Sequence, residues 1–370
     1  PEFYRNIPYV DLSSQYEAEK LKINECIMRV LESGQYVGGA HISQKFEEAI
    51  SKYCHVDHAL AVSSGTDALY LALKILNIGP GDEVITVPNT YCATVAAICL
   101  VGATPVFVDV QSDRNMDPKK LEAVITKKSK AILPVHLTGR VCDMDPILKI
   151  AREENLAVIE DAAQAVGAKY KGKIAGTFGD VAAFSAHPLK NLCAIGDAGH
   201  MLIKDGGLVE RAGQLRNHGL QDRDTVLEWS GVARIDALQA EILHFRLTQL
   251  DDLIKMRQRN ARLYDQHIIE KNIFKPVTRD YEFNTYHTYV IQVENREQLT
   301  SYLKSNGVEA VIHYPVPLHL QPAAESLAYK VGAFPVAEDQ AKKILSLPIH
   351  QYLKEDDIIY ISNLINKFYN

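Results

Sequence analysis

The sequence predicts an α/β fold built on a mostly parallel central sheet. Up to Gly179, short apolar or β-branched segments alternate with longer segments whose apolar residues recur at helical spacing. This alternation is typical of βαβ crossovers, in which helices flank a parallel sheet and bury both of its faces. The predicted strands of this part cover residues 59–62, 83–87, 105–110, 131–135 and 156–159.

The helices that flank the sheet are predicted from the same periodicity. The first helical pattern covers residues 20–31 and ends near Gly34, and the second covers residues 43–53. A turn of residues 79–82 (Gly-Pro-Gly-Asp) separates one helix from the strand that follows it. The helices between strands are predicted at residues 66–76, 90–100, 118–125 and 144–154.

The pattern changes after Gly179. A long helical stretch, residues 235–268, leads to a smaller unit that mixes strands and helices. We therefore predict a large α/β domain over residues 1–250 and a small C-terminal α+β domain over residues 251–370. The remaining predicted elements are strands at 181–184, 200–203, 287–293 and 308–313, and helices at 296–305, 337–344 and 355–368.

The composition excludes several classes of protein. The 370 residues carry 40 Lys and Arg against 46 Asp and Glu, so we expect no nucleic-acid partner. The longest apolar runs fall short of the roughly 20 residues that a membrane helix needs, and no signal segment opens the chain. The six cysteines lack the CxxC spacing of zinc sites. We expect a cytoplasmic protein with reduced thiols, no bound metal and no membrane contact.

Two motifs suit a ligand that carries a phosphate and a ring nitrogen. Residues 63–67 (Ser-Ser-Gly-Thr-Asp) follow a strand and open a helix, whose free N–H groups and dipole suit a phosphate. An ordinary helix N-cap is the alternative. Asp161 lies at the carboxyl end of a strand, where open α/β sheets bind ligands. Its carboxylate can hold a protonated ring nitrogen, or it can cap the next helix.

Two further motifs suggest which ligand this is. Lys190 lies in an apolar, turn-rich segment, where a depressed pKa would make it a Schiff-base amine, although most lysines are solvated surface charges. Tyr91 follows a strand and can cover a planar ligand or serve as a core aromatic. A phosphate cradle, an aromatic cover, an acid for a pyridinium nitrogen and a lysine for an aldehyde together meet the needs of pyridoxal 5′-phosphate (PLP). We predict PLP as the cofactor.

The same motifs resemble the DegT/DnrJ/EryC1/StrS family of sugar-nucleotide aminotransferases, PLP enzymes of fold type I. The resemblance runs from residues 7–12 (IPYVDL) to residues 346–348 (SLP). It implies a fold type I PLP-dependent transferase that acts as a transaminase. Its most specific blocks are SGTDAL (64–69), GPGDEVIT (79–86), PVHLTG (134–139), VIEDAAQAVGA (158–168), FSAHPLKN (184–191) and LRNHG (215–219).

The resemblance also implies a role for individual residues. Lys190 would bind the cofactor covalently, and Asp161 would pair with the pyridine nitrogen. Members of the family are homodimers with the active site at the interface, so Asn217 of the neighbouring subunit would complete the phosphate site, with Arg234 near it. The other implied cofactor contacts are Gln164 at the ring hydroxyl, Tyr91 on the ring, and Gly65, Thr66 and Ser185 at the phosphate.

The expected contacts to the sugar nucleotide are His187, His313, Tyr314 and His319. His187 lies in the lysine block and either lines the pocket or supports the lysine loop. The other three lie in basic, tyrosine-rich segments suited to a substrate with two phosphates, with a structural turn as the alternative. The chain departs from the family at Thr138, where relatives commonly have Tyr, and in residues 193–199 (CAIGDAG). These departures are expected to reshape the sugar pocket.

We predict transfer of an amino group from L-glutamate to a nucleotide-linked keto sugar. A dTDP-3-keto-6-deoxyhexose is favoured by resemblance at residues 143–147 and 160–165. Amination at C4 of a dTDP-, UDP- or GDP-linked 4-keto-6-deoxy sugar is the alternative. A non-catalytic PLP-binding regulator is a remote alternative, since the chain shows no DNA-binding extension. A dehydratase, in which histidine replaces the lysine, is disfavoured by Lys190.

Overall fold

The computed structural model describes residues 5–37, 41–275 and 277–370. Its strands, in chain order, are β1 (Ala59–Val62), β2 (Glu83–Thr86), β3 (Thr104–Phe107), β4 (Ser129–Ile132), β5 (Ala157–Asp161), β6 (Lys169–Tyr170), β7 (Lys173–Ile174), β8 (Val181–Ser185), β9 (Gly199–Ile203), β10 (Glu282–Phe283), β11 (Tyr289–Gln292) and β12 (Ile344–Leu347). The α-helices are α1 (Leu12–Ser33), α2 (His41–Cys54), α3 (Gly65–Ile75), α4 (Cys92–Leu100), α5 (Met144–Glu153), α6 (Val209–Leu215), α7 (Ala237–Leu247), α8 (Leu250–His267), α9 (Arg296–Ser305), α10 (Pro335–Lys343) and α11 (Glu355–Tyr369).

The central sheet has seven strands in the order β1-β9-β8-β5-β4-β2-β3. The five strands from β8 to β3 in this order run parallel, and β9 runs antiparallel to both of its neighbours. Helices flank the sheet, so the predicted α/β class and its mostly parallel sheet are confirmed. Small sheets pair β10-β6-β7 and β11-β12.

Apolar side chains pack on both faces of the central sheet. Val181 and Ala183 of β8 belong to one core, and the alternating Ala182 and Phe184 belong to another, as the period of a strand requires. A third core joins Ile7 to residues of α8, α9, α11, β11 and β12. Part of the C-terminal unit, including Phe334, packs on the first core instead. The domain boundary at residue 250 therefore stays a prediction.

Three predicted elements differ from the structure. Residues 118–125 form two 3₁₀ turns, Pro118–Lys120 and Glu122–Val124, which still bury Leu121 in the first core. The long helix over 235–268 is broken between α7 and α8, where the hydroxyl of Thr248 donates to the carbonyl of Phe245. Residues 308–313 make only isolated bridges, because β12 takes the place beside β11.

None of the helices within the described ranges is long and apolar enough to cross a membrane. The six cysteines are all free thiols. In the described part of the chain, no cluster of three or more His, Cys, Asp or Glu side chains is arranged to hold a metal ion.

His200 makes the stability of the fold depend on pH. This histidine on β9 stacks on Phe184 at 4.5 Å between ring centroids, and both of its ring nitrogens lack partners among the described residues. Burial lowers its pKa to about 3. Below pH ~6.5 the unfolded chain therefore binds a proton that the folded chain does not. As the pH falls from there toward 3, this group lowers the free energy of unfolding by about 1.4 kcal/mol per pH unit.

We expect a His200→Phe variant to lose this part of the acid sensitivity. Urea unfolding at pH 7.5 and pH 5 measures the free energies of unfolding of the variant and of the parent protein. The control is His55→Asn, which changes an exposed histidine with positive φ to a residue that tolerates that conformation. Equal pH dependence in His200→Phe and the parent protein would contradict the prediction.

Candidate active site

A cavity of about 380 Å³ lies at the carboxyl ends of the parallel strands, within the size range of small-molecule sites. Segments that follow β1, β2, β5 and β8 form one wall, and residues of the C-terminal unit form the other. The predicted site residues that line it are Gly65, Thr66, Tyr91, Asp161, Gln164, Ser185, His187, Lys190, His313 and Tyr314.

The predicted phosphate end of the cavity is the N-terminus of α3. Ser64 is the N-cap, and its Oγ accepts a hydrogen bond from the N–H of Asp67 at 3.0 Å. The cap interpretation and the ligand interpretation of this motif are thus compatible, because Gly65 and Thr66 still line the cavity. Gly65 lies against the end of β8, where a Cβ would be 2.7 Å from Cβ of Ser185. This close approach brings the helix N-terminus beside the Ser185 hydroxyl.

A Gly65→Ala variant is expected to bind PLP about 5- to 100-fold more weakly, because the added methyl group must push α3 and β8 apart. Equilibrium dialysis of the apoenzyme against PLP measures the effect. The matched control is Gly213→Ala on α6, where a Cβ meets nothing within 4 Å and should stabilise the helix by about 0.5–1 kcal/mol. Unchanged PLP affinity in Gly65→Ala would show that this contact does not shape the cradle.

Asp161, the predicted acid of the site, lies at the end of β5 and is 4% exposed. The hydroxyl of Thr94 donates to its Oδ2 at 2.7 Å, and the N–H of Ala163 donates to its Oδ1 at 3.2 Å. Burial raises the pKa of Asp161, while these two hydrogen bonds and the charge of Lys190 act in the opposite direction. Asp161 forms no ion pair with a described residue, so its carboxylate is available to pair with a cationic ring nitrogen.

The predicted nucleophile, Lys190, lies in the turn that follows β8. Its backbone N–H donates to the carbonyl of His187 at 2.8 Å, which sets the turn. Desolvation lowers the pKa of the Lys190 amine to about 8, with the charge of Asp161 opposing the shift. About a tenth of the amine is therefore neutral at pH 7, far more than for an ordinary lysine, so it can act as a nucleophile or a base.

Three polar side chains line the mouth and the walls of the cavity: Tyr91, Tyr314 and Gln164. Tyr91 is 56% exposed at the mouth, with its ring centroid 5.8 Å from that of Tyr314. Oε1 of Gln164 accepts a hydrogen bond from the backbone N–H of Thr138 at 2.8 Å, which leaves the amide NH₂ group of Gln164 for a ligand. The side chain of Thr138 faces a neighbouring cavity.

The other departures from the family have different positions. Ala198 lines the cavity, whereas Cys193 is buried behind the lysine turn, with its Sγ 3.2 Å from Nη1 of Arg246. Of these changed side chains, only that of Ala198 lines the cavity.

Several cavity residues were missed by the sequence analysis: Tyr9, Arg257, His287 and His350. Arg257 is buried, and its guanidinium donates to the carbonyls of Tyr286 and His287. Burial lowers the pKa of Arg257 to about 10, and among the described residues no carboxylate pairs with it. The helical periodicity around Arg257 did not indicate that its side chain lines the cavity, because that contact depends on how α8 packs beside the sheet.

Three predicted site residues lie outside the cavity. Asn217 forms an isolated β-bridge with Val232, and Arg234 forms one with Val62. Each has a buried side-chain atom without a partner among the described residues. His319 is buried, with Nε2 3.0 Å from Oε1 of Glu338. His319 does not line the cavity, so its substrate contact stays a prediction.

Comparison with known proteins identifies the family. The model of the DegT/DnrJ/EryC1/StrS aminotransferase family matches residues 17–366. The chain belongs to this family.

Curated relatives agree with this assignment. The chain is 40% identical to the "Pleiotropic regulatory protein" of Geobacillus stearothermophilus, over 98% of this chain and 99% of the relative. It is 39% identical to the dTDP-3-amino-3,4,6-trideoxy-alpha-D-glucose transaminase of Streptomyces venezuelae, over 98% and 96% of the two chains. The crystal structure of S. venezuelae DesV superposes with a TM-score of 0.95 at 39% identity, covering 98% of each chain.

The predicted family, fold type I and PLP-dependent transaminase activity are thus confirmed. The residues present fit PLP: the α3 N-terminus and Ser185 form a cradle that a Cβ at Gly65 would fill, and Asp161 offers a carboxylate to a ring nitrogen. The protein is a PLP-dependent sugar aminotransferase.

Proposed function

We propose that this aminotransferase moves the amino group of L-glutamate to C3 of a dTDP-linked 3-keto-6-deoxy sugar. One observation supports the transamination activity above all: Lys190 and Asp161 line the same cavity. Lys190 is a lysine of lowered pKa, and Asp161 is a buried carboxylate. The choice of C3 is supported by the S. venezuelae relative, which is named for a dTDP-3-amino sugar.

The chain's own residues carry out the proton chemistry of this reaction. When bound, PLP supplies an aldehyde that takes up the amine and a ring that accepts the electrons left as the α-proton departs. Asp161 would hold the proton on the ring nitrogen. Lys190 would hold the cofactor covalently at rest, and its released neutral amine would take the proton from Cα of the donor and deliver it to the former aldehyde carbon, two bonds away. The same residues serve the reverse sequence with the keto sugar.

Arg257 gives the cavity a site for the anionic groups of both substrates. A buried guanidinium without a carboxylate partner is costly, and a carboxylate or a diphosphate would relieve that cost. His313 and Tyr314 line the same wall, and Nδ1 of His313 lies 3.0 Å from Oγ of Ser346. We assign this wall to the sugar nucleotide.

We further propose that the enzyme is a homodimer with its active site at the interface. Apolar side chains are exposed beside the cavity at Leu189 and Ile195, and Trp229, near Asn217 in the chain, is 88% exposed. A second copy would cover these side chains and bring its Asn217 to the phosphate end. Sedimentation analysis should give about twice the chain mass of 41.3 kDa, and a monomer at working concentration would contradict the proposal.

The acceptor is tested by incubating the enzyme with L-glutamate and either a 3-keto or a 4-keto dTDP-6-deoxyhexose. The amino sugar formed is then identified by NMR, and the 3-amino product is expected. If only the 4-amino product forms, the assignment to C3 is wrong. The glutamate half-reaction, followed by the absorbance of the cofactor, separates failure of the acceptor assignment from failure of the transamination itself.

A further inference from the structure

Two buried threonine hydroxyls form a chain that ends on Asp161. Oγ1 of Thr90 lies 2.8 Å from Oγ1 of Thr94, which lies 2.7 Å from Oδ2 of Asp161. Thr90 and Thr94 are 3% and 1% exposed, so the bulk solvent does not replace these hydrogen bonds. Tyr91 is the residue of this segment that was predicted to contact the cofactor; Thr90 and Thr94 were not.

The protons of this chain have a single possible direction while Asp161 is ionised. A carboxylate only accepts hydrogen bonds, so the hydroxyl of Thr94 must donate to Oδ2 of Asp161. Thr94 has one proton, which this bond uses. The hydroxyl of Thr90 must then donate to Oγ1 of Thr94, and this donation polarises the second hydroxyl toward the carboxylate.

The other oxygen of the carboxylate is held as well. The N–H of Ala163 donates to Oδ1 of Asp161 at 3.2 Å. With one donor on each oxygen, the plane of the carboxyl group is set by two contacts, and its remaining lone pairs are left for a ligand in the cavity. Thr94 can reach Asp161 because it lies in the first turn of α4, which begins beside the end of β5.

We propose that Thr94 is a positioning residue for transamination: its hydroxyl, oriented by Thr90, holds the carboxyl group of Asp161 in the orientation and ionisation state that bind a protonated ring nitrogen. The proposal rests on the role proposed above for Asp161. Thr94 acts through Asp161, because its only proton is already committed to that carboxylate. Hydrogen bonds to a charged group contribute more than those between neutral groups, so one hydroxyl can have a measurable effect.

The experiment compares Thr94→Val, which removes the hydroxyl at nearly constant shape, with Thr94→Ser, which keeps it. Thr90→Val removes only the outer hydroxyl, and Asp161→Asn serves as the reference for loss of the acid. The matched control is Thr86→Val on β2, which removes an equally buried hydroxyl that donates to the carbonyl of Leu133 at 2.9 Å. The readouts are the PLP affinity of each apoenzyme, the pH dependence of the cofactor spectrum, and the rate and KM of the glutamate half-reaction.

Thr94→Val is expected to lose about 10- to 100-fold in PLP affinity and in half-reaction rate, with the KM for glutamate unchanged. Thr94→Ser should restore both values to within about threefold, and Thr90→Val should lose less than Thr94→Val, since the inner hydrogen bond survives. Thr86→Val should change neither value. Thermal unfolding of the apoenzymes verifies folding, and Thr94→Ala replaces Thr94→Val should the latter not fold.

Other outcomes overturn the proposal. Parent-like PLP affinity and rate in Thr94→Val, together with a loss in Asp161→Asn, would leave the acid role intact and remove Thr94 from it. A change confined to the KM for glutamate would make Thr94 a substrate contact. A larger loss in Thr90→Val than in Thr94→Val would contradict the proton direction. Parent-like behaviour of Asp161→Asn would remove both this inference and the role proposed for the acid.

Discussion

Replacing Lys190 with alanine is expected to abolish transamination while PLP still binds without a covalent bond. The variant loses the amine that holds the cofactor and the base that moves the α-proton, and the loss of the base alone should slow the reaction about 10²- to 10⁴-fold. The phosphate cradle and Asp161 remain, so binding is weakened but retained. Borohydride reduction followed by mass spectrometry of peptides measures the covalent bond, and the glutamate half-reaction measures the activity.

The control for this variant is another lysine of the large domain. Lys173 is exposed on the short strand β7, away from the cavity lining. Lys173→Ala should be labelled on Lys190 like the parent protein and should keep its activity. Labelling of a lysine other than Lys190 in the parent protein would contradict the assignment, as would parent-like turnover by Lys190→Ala.

Asp161→Asn is expected to slow the glutamate half-reaction about 10²- to 10³-fold and to weaken PLP binding, because an amide cannot keep the ring nitrogen protonated. The substitution nearly preserves shape, and the hydroxyl of Thr94 can still donate to the amide oxygen. The amide NH₂ group then faces the N–H of Ala163, so the variant loses the charge and one hydrogen bond. Stopped-flow absorbance gives the rate, and dialysis of the apoenzyme gives the affinity.

Glu160 provides the matched control for Asp161. It is the preceding residue of β5 and is fully buried, and its carboxylate accepts hydrogen bonds from the backbone N–H groups of Gly176, Phe178 and Gly179. Glu160→Gln should lower the stability of the fold and leave PLP affinity within a few-fold of the parent value. Equal losses of PLP affinity in the two variants would mean that Asp161 acts through the fold.

Many regular elements of both predicted domains could be predicted because their signals are local. The predicted strand over 59–62 and the predicted helix over 296–305 coincide with β1 and α9. Prediction failed at two elements for different reasons. The helix over 235–268 breaks at a local hydrogen bond of Thr248 that the apolar periodicity does not reveal, and the strand over 308–313 gives way to β12 in tertiary pairing.

The site residues also divide into those predicted from local motifs and those placed by tertiary contacts. Lys190 and Asp161 were predicted from short motifs whose chemistry is local, and both line the cavity. Arg257 was missed, since a buried arginine that faces a cavity looks like any other charge on a helix. His319 was predicted from composition, but its ring packs against Phe334 at 4.7 Å between centroids and lies outside the cavity lining.

By itself, the sequence determined the family, the cofactor and the alternation of strands and helices, because each depends on motifs only a few residues long. The tertiary structure decided what those motifs do together. The contact of Thr94 with Asp161 joins residues 67 positions apart, and the wall that carries Arg257 and His313 comes from the other end of the chain. Such contacts arise from the order in which strands pair and from the burial of apolar faces, and no short segment of sequence specifies either.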